Sequence, residues 1–318
     1  TSAAAVVEEV LAALQRRDDV GKRAVDALSE AIGRIKGIGA LGLNLQLDSA
    51  AKDHWAVVSR EFEKAIAASA SPERKLLLVV DEFPIVIDDL FSESATQAEA
   101  RKLLRLFRKL RTDKPLLDRF RMLVGGSIGL KSVLRRYKAT ADANDLNAFR
   151  LGPWSNVTAN DFIDRIGEKH SFAFSPAVRT QIFEGVGETP MPFHLQMMLD
   201  RLLGLNIKSA DLTSAHVGKA RRYVLDNVSL DHYRERLPKV LDPDAEAAAE
   251  AILAKLATDG PLVRKALSEC SSVKGAVKDA LRVLEEDGYV SVSDDDPPIF
   301  AFANPMLRDF WKKHYTDD

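Results

Sequence analysis

The feature that most constrains this fold is an uninterrupted apolar run, KLLLVVD, from Lys75 to Asp81. A run this short, rich in Leu and Val and without alternation, is typical of a strand buried on both faces of a parallel sheet. A second run, FRMLV, covers 120–124 and ends at Gly125-Gly126-Ser127. Helical patterns separate the two runs, which favours an α/β parallel sheet. A third short strand is predicted over 149–151.

Helical periodicity occupies most of the remaining sequence. The amino-terminal part predicts a first helix that begins at a Thr or Ser cap, and a short strand or extended arm with alternating apolar residues over 37–48. The helices predicted before residue 150 cover 3–17, 22–36, 52–69, 94–112 and 129–138. From 158 to 236 only helical patterns occur, over 158–168, 176–184, 191–203 and 214–236. Pro238 and Pro243 then indicate a linker.

The last part of the chain predicts a small domain of its own. Helices are expected near 245–258, 261–269 and 273–287. A hairpin of 289–292 and 299–303 follows them, and a final helix begins at Pro305. Three helices followed by a hairpin are typical of a winged-helix domain.

Composition excludes several classes of protein. The chain has 318 residues and a net charge of −2, which fits two or three globular domains. No apolar run approaches the roughly 20 residues that span a bilayer, and no signal peptide opens the chain, so we expect a cytoplasmic protein without a membrane partner. The single cysteine, Cys270, excludes a disulfide framework and a cysteine-based zinc site. The six histidines are scattered and predict no metal site.

Acidic residues follow the first apolar run. Asp81 and Glu82 stand at the carboxyl end of that strand, where open α/β sheets bind ligands. In a P-loop NTPase the first carboxylate holds Mg²⁺, and the adjacent one orients or deprotonates the attacking water. Ser127, at the end of the second strand, would then contact the γ-phosphate or that water. The alternatives are a strand ending at a polar surface turn and a glycine turn chosen for flexibility.

A basic segment lies between the two strand ends and beyond. From Arg101 to Lys138 there are 13 Lys and Arg but only two acids, a net charge of +11. Such a field attracts phosphates or nucleic acid, whereas the alternative is a solvated helix face. Arg135 and Arg136 follow the second strand and are better placed to face a nucleotide or a neighbouring subunit.

Two glycine motifs do not carry function. The G-x-G-x-x-G pattern at 37–42 follows a helix and opens none, so the context of a dinucleotide site is missing. Gly21-Lys22 and Gly218-Lys219 lack the first glycine of G-x-x-x-x-G-K-[ST]. The sequence therefore contains no complete Walker A loop.

The order of these segments resembles the archaeal-type ATP-binding proteins of the AAA+/STAND class of P-loop ATPases. The similar segments are LLLVVDEFPIVI as Walker B, GGSIGL as the sensor-1 strand end, RLGPWSNVTANDFI, TPMPFHLQ and FANPMLRDFW. The resemblance implies an N-terminally incomplete P-loop NTPase core over 1–155, an α-helical lid over 156–240 and a winged-helix domain over 244–318. It also implies ATP and Mg²⁺ as cofactors, with Asp81 on the metal, Glu82 and Ser127 in catalysis, and Arg135 or Arg136 as an arginine finger.

The chain departs from this family at its beginning. The family starts with a strand, a Walker A loop, a helix and a second strand, and none of these is found here. We therefore expect a fragment lacking its amino-terminal end, with a naturally degenerate member as the alternative. Without Walker A, ATP binding by this chain alone is expected to be weak or absent, so the sequence leaves enzymatic activity undecided.

Two other functions compete with an ATP-dependent switch. A winged-helix regulator would bind nucleic acid, but residues 245–318 carry nine Lys and Arg against 14 Asp and Glu, and a phosphate-binding surface should be basic. We therefore expect the winged helix to contact a protein partner or other subunits, and any nucleic acid to use the basic segment 101–138. The third possibility is a pseudo-ATPase scaffold that works without nucleotide.

Overall fold

A computed structural model describes residues 2–16, 26, 29–34, 47–73 and 75–316. These residues are mostly helical and include a two-stranded parallel sheet and a three-stranded antiparallel sheet. The chain divides into two compact units, Thr1–Asn147 and Ala148–Asp318. No helix in the described ranges is long and apolar enough to cross a membrane.

In the described residues of the first unit, helices alternate with two strands. Its elements are α1 (Ala3–Gln15), α2 (Leu47–Ser69), β1 (Leu76–Val80), α3 (Phe83–Ser92), α4 (Gln97–Thr112), β2 (Phe120–Val124) and α5 (Leu130–Arg136). The predicted cap of the first helix is Ser2, whose side chain accepts a hydrogen bond from the Ala5 amide at 3.1 Å. Of the helix predicted over 22–36, residues 26 and 29–34 are described and are helical. The arm predicted over 37–48 lies outside the described residues except for Leu47 and Asp48, which begin α2.

The two strands pair in parallel, in a register from Leu76↔Phe120 to Val80↔Val124. This pairing confirms the parallel sheet predicted from the sequence. The prediction that β1 is buried on both faces is wrong. Leu78 and Phe120 are buried on one face, while Leu77, Val79 and Leu123 on the other are 54%, 58% and 50% exposed. In the described residues the helices cover only the face that carries Leu78, so the opposite face, which carries Leu77, Val79, Leu123 and the charged Arg121, is open.

An aromatic cluster forms the core of the first unit. The Phe83 and Phe107 rings stack with centroids 5.4 Å apart, and Phe62 lies 6.3 Å from Phe107. These three side chains tie together α2, α3 and α4. Helix α3 was not among the predicted helices; Pro84 in its first turn and the apolar spacing of Phe83, Ile87 and Leu90 are the signals that identify it.

The second unit is built mainly from helices. Its elements are α6 (Asn156–His170), α7 (Pro176–Val186), α8 (Pro192–Leu203), α9 (Ser214–Asn227), α10 (His232–Val240), α11 (Pro243–Asp259), β3 (Leu262–Val263), α12 (Arg264–Leu267), α13 (Ala276–Glu286), β4 (Val290–Val292), β5 (Ile299–Phe302) and α14 (Pro305–Tyr315). The strand predicted over 149–151 is absent: residues 146–155 have no regular structure, and Phe149 and Leu151 are exposed. No described strand lies beside this segment to pair with it, so its preference for β structure does not produce a strand.

Two boundaries in this unit differ from the predictions. The helix predicted over 214–236 is two helices, separated by 228–231, where the Ser229 hydroxyl donates to the Asp231 carboxylate at 2.5 Å. The linker predicted at Pro238 and Pro243 is also wrong, because Pro238 lies inside α10 and Pro243 begins α11. Pro243 fits there because the first turn of a helix needs no amide donor.

The carboxyl-terminal elements form the antiparallel sheet. The predicted hairpin is confirmed, with Val290 opposite Phe302, and β5 also pairs with β3. That third strand and the short α12 replace the helix predicted over 261–269. Asn304 fixes the start of α14: its side-chain oxygen accepts from the Met306 and Leu307 amides, and its side-chain nitrogen donates to the Val186 carbonyl at 2.9 Å.

Candidate functional site at the strand ends

The carboxyl ends of β1 and β2 are held side by side. The Gly125 amide donates to the Val80 carbonyl at 3.0 Å, and the Phe83 amide donates to the Gly125 carbonyl at 3.0 Å. These two bonds extend the parallel pairing beyond the last strand residues. As a result, the residues that follow each strand meet at one edge of the sheet.

Glu82 is the central residue of this edge. Its backbone is left-handed (φ 51°, ψ 24°), an unusual conformation for a residue with a Cβ, and it immediately precedes α3. Its Oε2 accepts hydrogen bonds from both the amide and the hydroxyl of Ser127, each at 3.0 Å. The structure thus brings Glu82 and Ser127, 45 residues apart in sequence, into direct contact. Strained backbone of this kind is concentrated at functional sites.

Gly126 makes that contact possible. A Cβ at position 126 would lie 2.6 Å from Cδ of Pro84 and 3.2 Å from Oε2 of Glu82. The φ of Gly126 is not positive, so the alternative of a glycine chosen for turn flexibility does not explain this position, and the requirement is space. In the sequence, this close approach of the two strand ends is indicated by the Gly125-Gly126 pair directly after an apolar strand.

Asp81 lies beside this pair with an exposed side chain. Its Oδ1 accepts a hydrogen bond from the Glu82 amide at 2.9 Å. No group of three or more His, Cys, Asp or Glu suited to a metal occurs in the parts of the chain that are described. One carboxylate fits a Mg²⁺ that is also held by phosphate oxygens and water, but it does not fit a metal bound by protein alone.

The two predicted arginines occupy the last turn of α5. Nη1 of Arg136 lies 3.6 Å from Oδ1 of Asp88, and its guanidinium lies over the Tyr137 ring, 5.3 Å from the centroid. The Tyr137 hydroxyl donates to the same Asp88 oxygen at 2.9 Å. Burial and this carboxylate raise the pKa of Tyr137 to about 12. Arg136 therefore has a structural role in joining α5 to α3.

Acids from outside the basic segment neutralise much of α4. Nε and Nη2 of Arg111 donate to the two Asp145 carboxylate oxygens at 2.8 and 3.0 Å, and Arg111 together with its hydrogen bonds lowers the pKa of Asp145. The other ion pairs of α4 join Arg101 and Arg105 to Asp142 at 3.8 and 3.7 Å, Arg108 to Asp145 at 4.0 Å, and Lys109 to Glu63 at 2.7 Å. These contacts favour the alternative of a solvated, paired helix face over a nucleic-acid surface.

Comparison with known proteins adds little to this geometry. No protein-family model matches the chain, and no curated protein matches it. Among solved structures, the crystal structure of Cdc6p from Pyrobaculum aerophilum is 14% identical, with 81% of this chain and 75% of that chain covered and a TM-score of 0.33. That score is too low to establish a shared fold.

Proposed function

We propose that this chain is part of an ATP-dependent switch protein of the AAA+/STAND type, in which the ends of β1 and β2 form half of the nucleotide site. The single observation that carries the proposal is the Glu82 carboxylate bonded to the Ser127 amide and hydroxyl at the ends of two adjacent parallel strands. This is where open α/β sheets bind ligands. A simple surface turn would not require a glutamate with a left-handed backbone whose carboxylate accepts two hydrogen bonds.

Each residue at the strand ends has a distinct role in this proposal. Asp81 would hold Mg²⁺ jointly with nucleotide phosphates, and the metal would neutralise charge on those phosphates. Glu82 would orient and deprotonate the attacking water. Ser127 positions the Glu82 carboxylate and would contact the γ-phosphate. Arg135 or Arg136, in the last turn of α5, would act as an arginine finger.

The residues present supply only part of a nucleotide site. The sequence holds no complete phosphate-binding loop, so the amide cradle and the lysine for the β- and γ-phosphates are missing. We therefore expect little or no ATP binding by residues 1–318 alone. In this proposal helices α6–α10 act as the lid, and the segment from α11 to α14 acts as a winged helix that contacts a protein partner or another subunit.

The test is Glu82→Gln in the longest natural form of the polypeptide that contains this chain. The amide keeps the size of the side chain and an oxygen that accepts from Ser127, but it removes the base. We expect MgATP binding to be retained and hydrolysis to fall about 100-fold or more. Equilibrium binding of a fluorescent ATP analogue and steady-state phosphate release measure the two effects.

The matched control is Glu93→Gln, an exposed glutamate at the other end of α3. This variant should hydrolyse ATP at the rate of the parent protein. Undiminished turnover in the Glu82 variant would overturn the catalytic assignment. Failure of the longest natural form to bind MgATP at all would overturn the ATPase proposal and favour the nucleotide-independent scaffold.

A further inference from the structure

One exposed face of helix α9 is basic and carries an aromatic ring. The helical spacing places Gly218, Lys219, Arg222 and Tyr223 on this face, and all four are exposed. Arg201 joins them from the last turn of α8, where its guanidinium carbon lies 3.6 Å from the centroid of the Tyr223 ring. In the described residues no carboxylate forms an ion pair with Arg201, Lys219 or Arg222. We call these five residues the α9 basic face.

The acids at the border between α9 and α14 are already paired. Arg221 of α9 forms an ion pair with Asp309 of α14, and Asp226 of α9 forms one with Lys313 of α14. Arg308 also donates to Asp309, at 2.9 and 2.8 Å. These acids are therefore not available to neutralise the α9 basic face.

The other helices that pack on α9 bring one acid close to this face. Helix α7 meets α9 beside Arg221, because a Cβ on Gly185 would lie 3.5 Å from Cδ of Arg221. Arg221 is two residues from Lys219 and two from Tyr223, so it lies on the opposite side of α9 from them. Glu184, the acid of α7, is therefore remote from the face. Asp200, the acid of α8, is exposed and directly precedes Arg201.

Gly218 gives this face an open stretch of helix backbone. It lies in the interior of α9, and a Cβ at this position would meet nothing within 4 Å. Glycine inside a helix is less favourable than alanine, because it loses more conformational freedom on folding. No described residue fills the space that Gly218 leaves. A ligand that approaches the helix backbone closely would use it.

We propose that the α9 basic face binds the phosphate backbone of single-stranded nucleic acid. Lysine and arginine neutralise phosphates, and an exposed aromatic ring stacks on unpaired bases. Tyr223 is 41% exposed, and its ring holds the Arg201 guanidinium in place for a bidentate contact with a phosphate. The cations stand on two helices rather than in one pocket, which fits a chain of phosphates better than a single small anion. The basic helix α4 differs, because its cations are paired with acids.

Fluorescence anisotropy of a labelled oligothymidine, titrated with the full chain in the absence of ATP, tests this proposal. Three phosphate contacts predict a slope of about −2 for the logarithm of the association constant against the logarithm of the salt concentration. The double variant K219E/R222E should weaken binding at least about tenfold and flatten this slope. The matched control is K274E/K278E, which changes the net charge equally at two exposed lysines at the start of α13 and should leave binding unchanged.

A second variant separates binding from folding. Gly218→Gln adds a helix-forming side chain at an exposed position, so stability to urea should not fall, yet binding should weaken severalfold because the open stretch is filled. Unchanged binding by K219E/R222E, or an equal loss in the control, overturns the proposal. Equally tight binding of polyglutamate would show a general anion surface and overturn the assignment to nucleic acid. The measurement needs no ATP, so it stands even if the ATPase proposal fails.

Discussion

At the scale of single residues, Gly126 is the position where the site tolerates least change. Gly126→Ala places a methyl group 2.6 Å from Cδ of Pro84. The proline ring is part of the first turn of α3 and cannot move without shifting that helix. We expect a loss of about 1–3 kcal/mol in the free energy of unfolding. Gly125→Ala is the matched control, because its Cβ meets nothing closer than 3.8 Å. Urea denaturation of both variants measures the difference, and equal stabilities would show that the loop yields without cost.

His194 is a second informative residue, because its imidazole is fully buried. Burial lowers its pKa to about 4 from the usual 6.5. Because the folded pKa lies below the unfolded one, the neutral ring contributes stability that is fully present above about pH 6.5. That stability falls by up to about 3 kcal/mol as the pH decreases towards 4.

His194→Leu should remove this part of the pH dependence, because an apolar side chain has no charge to bury. The measurement is the free energy of unfolding by urea at pH 7.5, 6 and 5, for the wild type and the variant. The wild type should lose stability relative to the variant as the pH decreases below about 6.5. A difference in the free energy of unfolding that stays the same at all three pH values would contradict the lowered pKa of His194.

At the scale of elements, the acidic segment after α5 fastens helix α4. The Arg111 guanidinium, whose side chain is only 10% exposed, donates two hydrogen bonds to the Asp145 carboxylate at the protein surface. Asp145→Asn should therefore destabilise the first unit by about 1–3 kcal/mol, because the arginine loses a charged partner. Asp142→Asn is the control, since its arginine contacts are longer, 3.7 and 3.8 Å. In thermal or urea unfolding, Asp145→Asn should lower the stability more than Asp142→Asn does.

At the scale of the whole molecule, the sequence predicts features that depend on residues close together in the chain. It does not predict features that depend on packing by residues distant in the chain. The Leu and Val run of β1 and the apolar run of β2 were enough to predict parallel pairing, but the direct hydrogen bonds between Glu82 and Ser127 were not predicted. The exposure of Leu77 and Val79 could not be predicted, because it depends on what packs against the sheet. The pairing of the +11 segment could not be predicted for the same reason, since the anions that pair with α4 come from Glu63, Asp142 and Asp145.

The parallel register of β1 and β2 has a consequence for the order in which the chain folds. Each pair of the register, such as Leu76 with Phe120, joins residues 44 positions apart, with α3 and α4 between them. Closing so long a loop from a random coil costs entropy before any strand contact forms. The Phe83–Phe107 stack shortens that loop when the two helices dock. We therefore expect helix docking to precede strand pairing, and the contact between Glu82 and Ser127 to form late.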